Sequence, residues 1–193
     1  MPKTKQFDEI VVLDKARDVF WKKGYNGTSI DDLVQATGLS RSSIYDSFGD
    51  KHGLYIKALK QYQQSQRQMM LEGMPANLTA KKKITWLFQN NIAESLGDRQ
   101  RKGCFILNTT TELANVDSSL NSFVNTHLEA MEELLLTLIR EGQAAGDIGK
   151  KFTARALARN LFSSLNGLKI IGQTRPHKQI LEDIAKVALS VLD

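Results

Sequence analysis

A short polar segment, residues 40–45, carries side chains that suit binding to nucleic acid. Its five polar members are Ser40, Arg41, Ser42, Ser43 and Tyr45. An arginine guanidinium can donate two parallel hydrogen bonds to guanine in the major groove. Small serine side chains let a helix approach the bases closely, and a tyrosine hydroxyl can bind a phosphate. The segment therefore predicts a DNA-contacting surface, in which Arg41 contacts either a base or a phosphate.

Two residues that flank this segment, Thr28 and Lys51, are candidates for phosphate contact. Thr28 precedes an apolar helical pattern and has Asp31 three positions later, which predicts an N-cap with a capping box. Backbone N–H groups at a helix start attract phosphate. Lys51 follows Asp50, itself a predicted N-cap, so its charge lies where the helix dipole does not favour a cation. Phosphate contact explains a lysine there, and a solvated surface lysine is the alternative.

Asp46 places a negative charge directly after residues 40–45. Its carboxylate can accept from the amino group of cytosine. Alternatively, it can pair with Arg41 or Lys51 and orient that side chain.

The single cysteine, Cys104, is the candidate reactive residue of the C-terminal region. It lies at a predicted helix start, and three cations occupy positions 99–102 just before it. Both features favour the thiolate, which reacts with oxidants and electrophiles. The alternative is a small core residue, because residues 105–107 are apolar. A thiol enzyme that pairs Cys104 with His127 is a further hypothesis, although no hydrolase, phosphate-loop or zinc-peptidase motif accompanies it.

Helices must position these residues, because apolar side chains recur with a period of about 3.6 along the chain. The pattern predicts an all-α fold of about nine helices. A helix from Thr28, a left-handed turn at Gly38 and a second helix from Ser40 describe a helix-turn-helix. A preceding helix, from about residue 7 to residue 23, completes a three-helix head.

The predicted domains are a DNA-binding head at residues 1–50 and a helical effector-binding and dimerisation body at residues 51–193. A short flexible arm with Lys3 and Lys5 is predicted at residues 2–6.

The run from Leu39 to Lys51, L-S-x-x-x-I-Y-x-x-F-x-x-K, resembles the DNA-binding head of the TetR family of bacterial transcriptional regulators. The resemblance is specific over residues 7–60 and covers only length and helical layout beyond them. It implies a homodimer whose two heads bind a palindromic operator in double-stranded DNA. It also implies that a small-molecule effector binds the body and releases a repressor; some members sense electrophiles through cysteine.

The resemblance also implies roles for individual residues. Thr28 is expected to contact a phosphate, Ser40–Ser43 to face the major groove, and Tyr45 and Lys51 to hold backbone phosphates. A helical protein–protein adaptor is the alternative, but its docking face would be more apolar than this one.

The predicted middle helices supply candidate residues for an effector pocket. The set mixes aromatic, sulfur-containing and polar side chains: Trp86, Phe88, Cys104, Phe105, Asn108, Phe123, His127 and Met131. Each is equally compatible with a core position, and His127 on an apolar face is compatible with a hydrogen-bonded core histidine. The three histidines are too dispersed for a metal motif, so the sequence predicts no metal and no cofactor.

The last two predicted helices mix large apolar and small residues, a pattern that permits close helix packing. The candidate dimerisation residues are Leu157, Leu161, Leu165, Leu168, Ile180, Ile184, Val187 and Val191. The alternative is a core within one subunit. Because one head contacts few base pairs, operator specificity favours dimerisation.

The composition is that of an ordinary globular protein, with 41% hydrophobic and 24% charged residues in 193. The net charge of +5 favours a polyanionic partner only weakly. A single cysteine allows no disulfide within the chain, and no apolar run is long enough to span a membrane. These properties predict a cytoplasmic protein without a membrane partner.

Overall fold

The computed structural model describes residues 7–193, and across this range nine α-helices and a C-terminal 3₁₀ turn form an all-α fold without strands. The predicted fold class is therefore confirmed, whereas the predicted arm at residues 2–6 lies outside the described residues. The helices are α1 Glu9–Lys23, α2 Ile30–Thr37, α3 Arg41–Phe48, α4 Lys51–Gly73, α5 Ala80–Gly97, α6 Phe105–Leu113, α7 Ser118–Ala145, α8 Ala154–Thr174 and α9 Lys178–Leu189; the 3₁₀ turn is Ser190–Leu192.

Polar side chains at the helix starts fix most of these boundaries. Ser40, Asp50, Asp117 and Thr153 each accept a hydrogen bond from a backbone N–H in the first turn of the helix that follows, as predicted. Gly38 ends α2 with φ of +77°, a left-handed conformation that glycine adopts without steric cost. These local signals explain why α2 and α3 remain separate helices joined by a tight turn.

The head is built on apolar side chains of α1 to α4. Phe20, Leu33, Ile44 and Leu54 are fully buried in one cluster. The same cluster continues into α6 through Phe105, so the head and part of the body share a core. Burial of these side chains fixes the orientation of α3 relative to α1.

A second cluster joins α5, α7, α8 and α9, and it contains four of the predicted dimerisation residues. Leu157, Leu161, Leu165 and Leu168 are buried within the single subunit. The prediction that they form the dimer interface was wrong, because this stripe of α8 faces α5 and α7 of its own chain. Of the four predicted on and after α9, Val187 is 72% exposed, whereas Ile180, Ile184 and Val191 are half-buried.

Candidate nucleic-acid interface

Helix α3 exposes most of the polar residues predicted to contact DNA. Its inner face buries Ile44 and Phe48, and this burial turns Arg41, Ser42 and Tyr45 outward. The exposed Ser40 hydroxyl lies 2.9 Å from the Ser42 hydroxyl and 2.8 Å from the half-buried Ser43 hydroxyl. The result is a narrow helix face of small hydroxyl groups flanked by a guanidinium and a phenol, a shape that can enter a major groove.

Arg41 is held by Asp31, the carboxylate that the sequence had assigned to a capping box with Thr28. Its Nη2 donates to Asp31 Oδ1 at 2.7 Å, which links α3 to the start of α2. Both side chains are exposed, so solvent screens the pair and DNA phosphates can replace the carboxylate. Pairing with Arg41 was one of the alternatives for Asp46; among the described residues, the guanidinium bonds Asp31 instead.

Thr28 does not cap α2, contrary to prediction. Ser29 is the N-cap: its hydroxyl accepts from the Asp32 N–H, and the Asp32 carboxylate accepts from the Ser29 N–H at 2.9 Å. Thr28 is only 2% exposed, and its hydroxyl donates to the Gly24 carbonyl at 2.6 Å. The Thr28 side chain is therefore not placed to contact a phosphate as predicted. Ser29 carries the exposed hydroxyl at this helix start.

Lys51 has a structural role that the sequence did not predict. Its ammonium donates to the carbonyls of Tyr25 and Thr28, each at 3.0 Å, and lies 4.2 Å from the centre of the Tyr25 ring. These bonds tie the turn between α1 and α2 to the start of α4. An ammonium has three donors, so a phosphate contact through the third remains a prediction.

The head is attached to the body mainly through the segment that contains α6. Trp21 Nε1 donates to the Lys102 carbonyl at 2.9 Å, and the Glu112 carboxylate accepts from the N–H groups of Tyr25 and Asn26 at 3.0 and 2.9 Å. Between them, the Tyr55 hydroxyl lies 2.8 Å from the Thr109 hydroxyl. Both ends of α6 are thus bonded to the head.

His52 and Asp117 add a contact between the start of α4 and the start of α7. Their Nε2 and Oδ2 atoms are 2.6 Å apart. The Asp117 carboxylate also accepts from the Leu120 N–H and the Ser119 hydroxyl. These two bonds, followed by the contact with His52, lower the pKa of Asp117 to about 2. Asp117 is therefore a carboxylate at neutral pH, and it caps α7 while it faces the head.

We expect Glu112→Gln to loosen the turn between α1 and α2. A glutamine amide offers one acceptor oxygen in place of two, so one of the two backbone N–H groups loses its partner. The free energy of unfolding should fall by about 1–2 kcal/mol, and amide exchange at Tyr25 or Asn26, measured by NMR, should accelerate. Glu141→Gln, an exposed change on α7, is the matched control; equal exchange rates in both variants would contradict this assignment.

The residues predicted to line an effector pocket are not gathered around one cavity. Phe88 is buried in the core of α5, α7, α8 and α9, and Phe105 is buried in the head core. Both therefore occupy core positions, the alternative that the sequence left open. His127 Nδ1 lies 3.1 Å from Gln63 Nε2, and burial, with a smaller effect of Lys169, lowers its pKa. Asn108 donates to the Lys102 carbonyl, whereas Trp86, Phe123 and Met131 are half-buried.

A small cleft, here called the α6 cleft, opens at the start of α6 and has a volume of about 60 Å³. Of the predicted pocket residues, only Cys104 lines it. The walls come from α4, α5, α8 and the segment before α6, and they comprise Tyr62, Asn91, Glu94, Ser95, Asp98, Gly103, Cys104, Lys169, Gly172 and Gln173. The cleft therefore lies at the same helix end that bonds the head through Lys102.

Cys104 has Tyr62 rather than His127 as its hydrogen-bonding partner. The Tyr62 hydroxyl donates to Cys104 Sγ at 3.9 Å. Burial, followed by the proximity of Cys104, raises the pKa of Tyr62, so this hydroxyl remains protonated. No hydrogen bond between described residues forms the thiol–imidazole pair that a thiol enzyme needs.

Within residues 7–193, no group of three or more histidine, cysteine, aspartate or glutamate side chains is arranged to hold a metal ion. None of the helices in that range is both long and apolar enough to cross a lipid bilayer.

The exposed polar helix α3, packed on α2 and α4 beside a larger helical body, defines a helix-turn-helix transcriptional regulator. Comparison with known protein families supports this class. Residues 12–58 match the family described as "Bacterial regulatory proteins, tetR family", and residues 80–186 match "Tetracyclin repressor-like, C-terminal domain". The chain belongs to the TetR family of DNA-binding transcriptional regulators.

Relatives and solved structures are similar over nearly the whole chain. The uncharacterized HTH-type transcriptional regulator YezE of Bacillus subtilis is 30% identical over 194 residues, which cover 100% of both chains. The HTH-type transcriptional repressor ComR of Escherichia coli is 27% identical, covering 96% of this chain and 89% of ComR. A cysteine mutant of the TetR family regulator CifR, solved with 26-bp double-strand operator DNA, superposes with a TM-score of 0.82 at 26% identity, covering 99% of this chain and 100% of that one.

Proposed function

We propose that this protein is a homodimeric cytoplasmic repressor that binds a palindromic operator and is released by a small-molecule effector. The observation that carries the proposal is the outer face of α3, where Ser40, Arg41, Ser42 and Tyr45 are exposed together. The repressor assignment of ComR and the operator complex of CifR support it. The division into head and body near residue 50 remains a proposal; Leu54 of α4, just beyond it, packs in the head core.

The face of α8 opposite its buried leucines is the better candidate for the dimer interface. It carries small residues beside the exposed Ile170, and a side-chain carbon added at Gly167 would meet no atom within 4 Å. The exposed Val187 of α9 extends this apolar surface. TetR regulators act as dimers, and the open position at Gly167 allows a partner helix to approach closely.

Helix α6 is the proposed link between effector and head. An effector in the α6 cleft contacts the segment that ends at Cys104, whereas Glu112 at the other end of α6 holds the turn between α1 and α2. By linkage, the effector must bind the DNA-free conformation more tightly than the DNA-bound one. A shift of α6 then changes the spacing of the two α3 helices, which must match major grooves about 34–36 Å apart.

The test is selection of bound fragments from genomic DNA with the purified full-length protein. We expect one enriched palindrome whose half-sites are separated by about 10 bp, one helical turn, or a multiple of it. The dimer should be confirmed by light scattering at the same protein concentration. Enrichment of no motif, or of a single half-site without symmetry, would refute a dimeric sequence-specific repressor.

A further inference from the structure

Asn91 of α5 lines the α6 cleft and carries a buried polar atom that the protein itself does not satisfy. The residue is 5% exposed and lines the cleft, and its Oδ1 atom accepts no hydrogen bond from any described residue. A buried acceptor without a partner costs free energy, because it has lost hydration and gained nothing in return. A donor group from a bound molecule explains why an asparagine occupies this position.

Charged groups of both signs border the same cleft. Lys169 lies on α8, whereas Glu94 lies on α5 and Asp98 directly follows it. An anionic ligand approaches two carboxylates, and a cationic ligand approaches the ammonium group, so either charge meets a like charge. A ligand that has hydrogen-bonding atoms but no net charge avoids both of these repulsions.

The volume of the cleft limits the size of that ligand. One water molecule needs about 10–15 Å³ on the same measure, and the cleft offers about 60 Å³. A molecule of about four to six non-hydrogen atoms therefore fits.

We propose that the α6 cleft binds a small uncharged hydroxylated compound, of the size of a three-carbon diol or triol, with one hydroxyl donating to Asn91 Oδ1. A hydroxyl oxygen can also accept from an ammonium such as that of Lys169, so hydroxyl groups suit both kinds of wall residue. The role of this compound as the effector rests on the proposed function, whereas the binding site itself does not.

The first test is calorimetric titration of propane-1,2-diol and glycerol into the full-length, DNA-free protein. Propylammonium and propionate are charged probes of similar size. We expect saturable binding of the diol or the triol, with both charged probes about tenfold weaker or worse. Absence of saturable binding by both hydroxylated compounds, or preference for either charged probe, overturns the proposal.

The second test uses Asn91→Leu, which keeps the approximate shape of the side chain and removes the unpaired acceptor. We expect diol affinity to fall about tenfold or more, while the melting temperature of the ligand-free protein rises. A purely structural asparagine would instead lower the melting temperature when it is replaced. Gln89→Leu, an exposed change on the same helix, should alter neither property, and undiminished diol binding by Asn91→Leu overturns the proposal.

Lys169→Met tests the charge argument independently of Asn91. With the ammonium removed, Glu94 and Asp98 remain, and we expect the preference to shift towards propylammonium by about tenfold. An unchanged preference overturns the assignment of an uncharged ligand.

Operator affinity is measured separately, with and without the diol. Release of the operator supports the effector role, whereas binding of the diol without any change in operator affinity removes that role. Loss of the proposed repressor function alone would appear as diol binding without operator binding.

Discussion

Arg41→Ala is expected to weaken operator binding about fivefold to a hundredfold per half-site. The guanidinium is the cationic group of the exposed face of α3, and only the exposed Asp31 carboxylate is shown to hold it in the free protein. Fluorescence anisotropy against the selected operator, and against operators altered at single base pairs, measures the effect. A base contact predicts lost preference at one base pair, whereas a phosphate contact predicts equal loss on all sequences and a salt slope reduced by about one.

Asp31→Asn should change operator affinity in the opposite direction. The substitution removes the carboxylate that holds Arg41 and also removes a negative charge beside the DNA, so binding should strengthen.

Arg140→Ala, an exposed change on α7, alters the net charge as Arg41→Ala does and should leave affinity almost unchanged. Equal affinities for Arg41→Ala and Arg140→Ala would show that Arg41 makes no contact with DNA.

Phe105→Ala should cause a large loss of stability, about 3–5 kcal/mol. The side chain is 1% exposed, and its ring centre lies 5.7 Å from that of Trp21, 5.4 Å from Tyr55 and 5.8 Å from Tyr62. Truncation leaves a cavity where α1, α4 and α6 meet. Urea denaturation at a fixed protein concentration measures the change, because the stability of a dimer depends on concentration.

Phe152→Ala is the matched control for that measurement. Phe152 is exposed between α7 and α8, so its truncation should change the free energy of unfolding by no more than about 0.5 kcal/mol. A loss below about 1 kcal/mol for Phe105→Ala would show that the three helices repack around the cavity. In that case, the head and body would not share a rigid core at this position.

Local patterns in the sequence were sufficient to predict the helices and the exposed face of α3. They could not decide between two structures where both are compatible with the same pattern. Thr28 with Asp31 and Ser29 with Asp32 both fit a capping box, and the choice of Ser29 depends on Thr28 turning inward to the Gly24 carbonyl. That choice also leaves Asp31 to pair with Arg41, a consequence that no local pattern contains.

Other errors came from contacts between segments that are distant in the chain. The leucine stripe of α8 indicates an apolar face, but the same stripe fits either a partner subunit or the core of its own chain. Asn91 and Glu112 are ordinary polar residues on helices until the packing shows that one lacks a partner and the other binds the turn between α1 and α2. The aromatic residues chosen for the pocket were instead used to build the two cores, the usual place for large apolar side chains.

Separate sets of residues at the two ends of α6 form the cleft and hold the head. The cleft side chains come from α4, α5, α8 and the segment between α5 and α6, whereas Glu112 of α6 binds the α1–α2 turn. Substitutions at positions such as Asn91 or Lys169 can therefore alter which compound is recognised and leave the contacts that carry the signal intact. A lineage of such regulators can acquire a new inducer by point mutation without having to acquire a new operator at the same time.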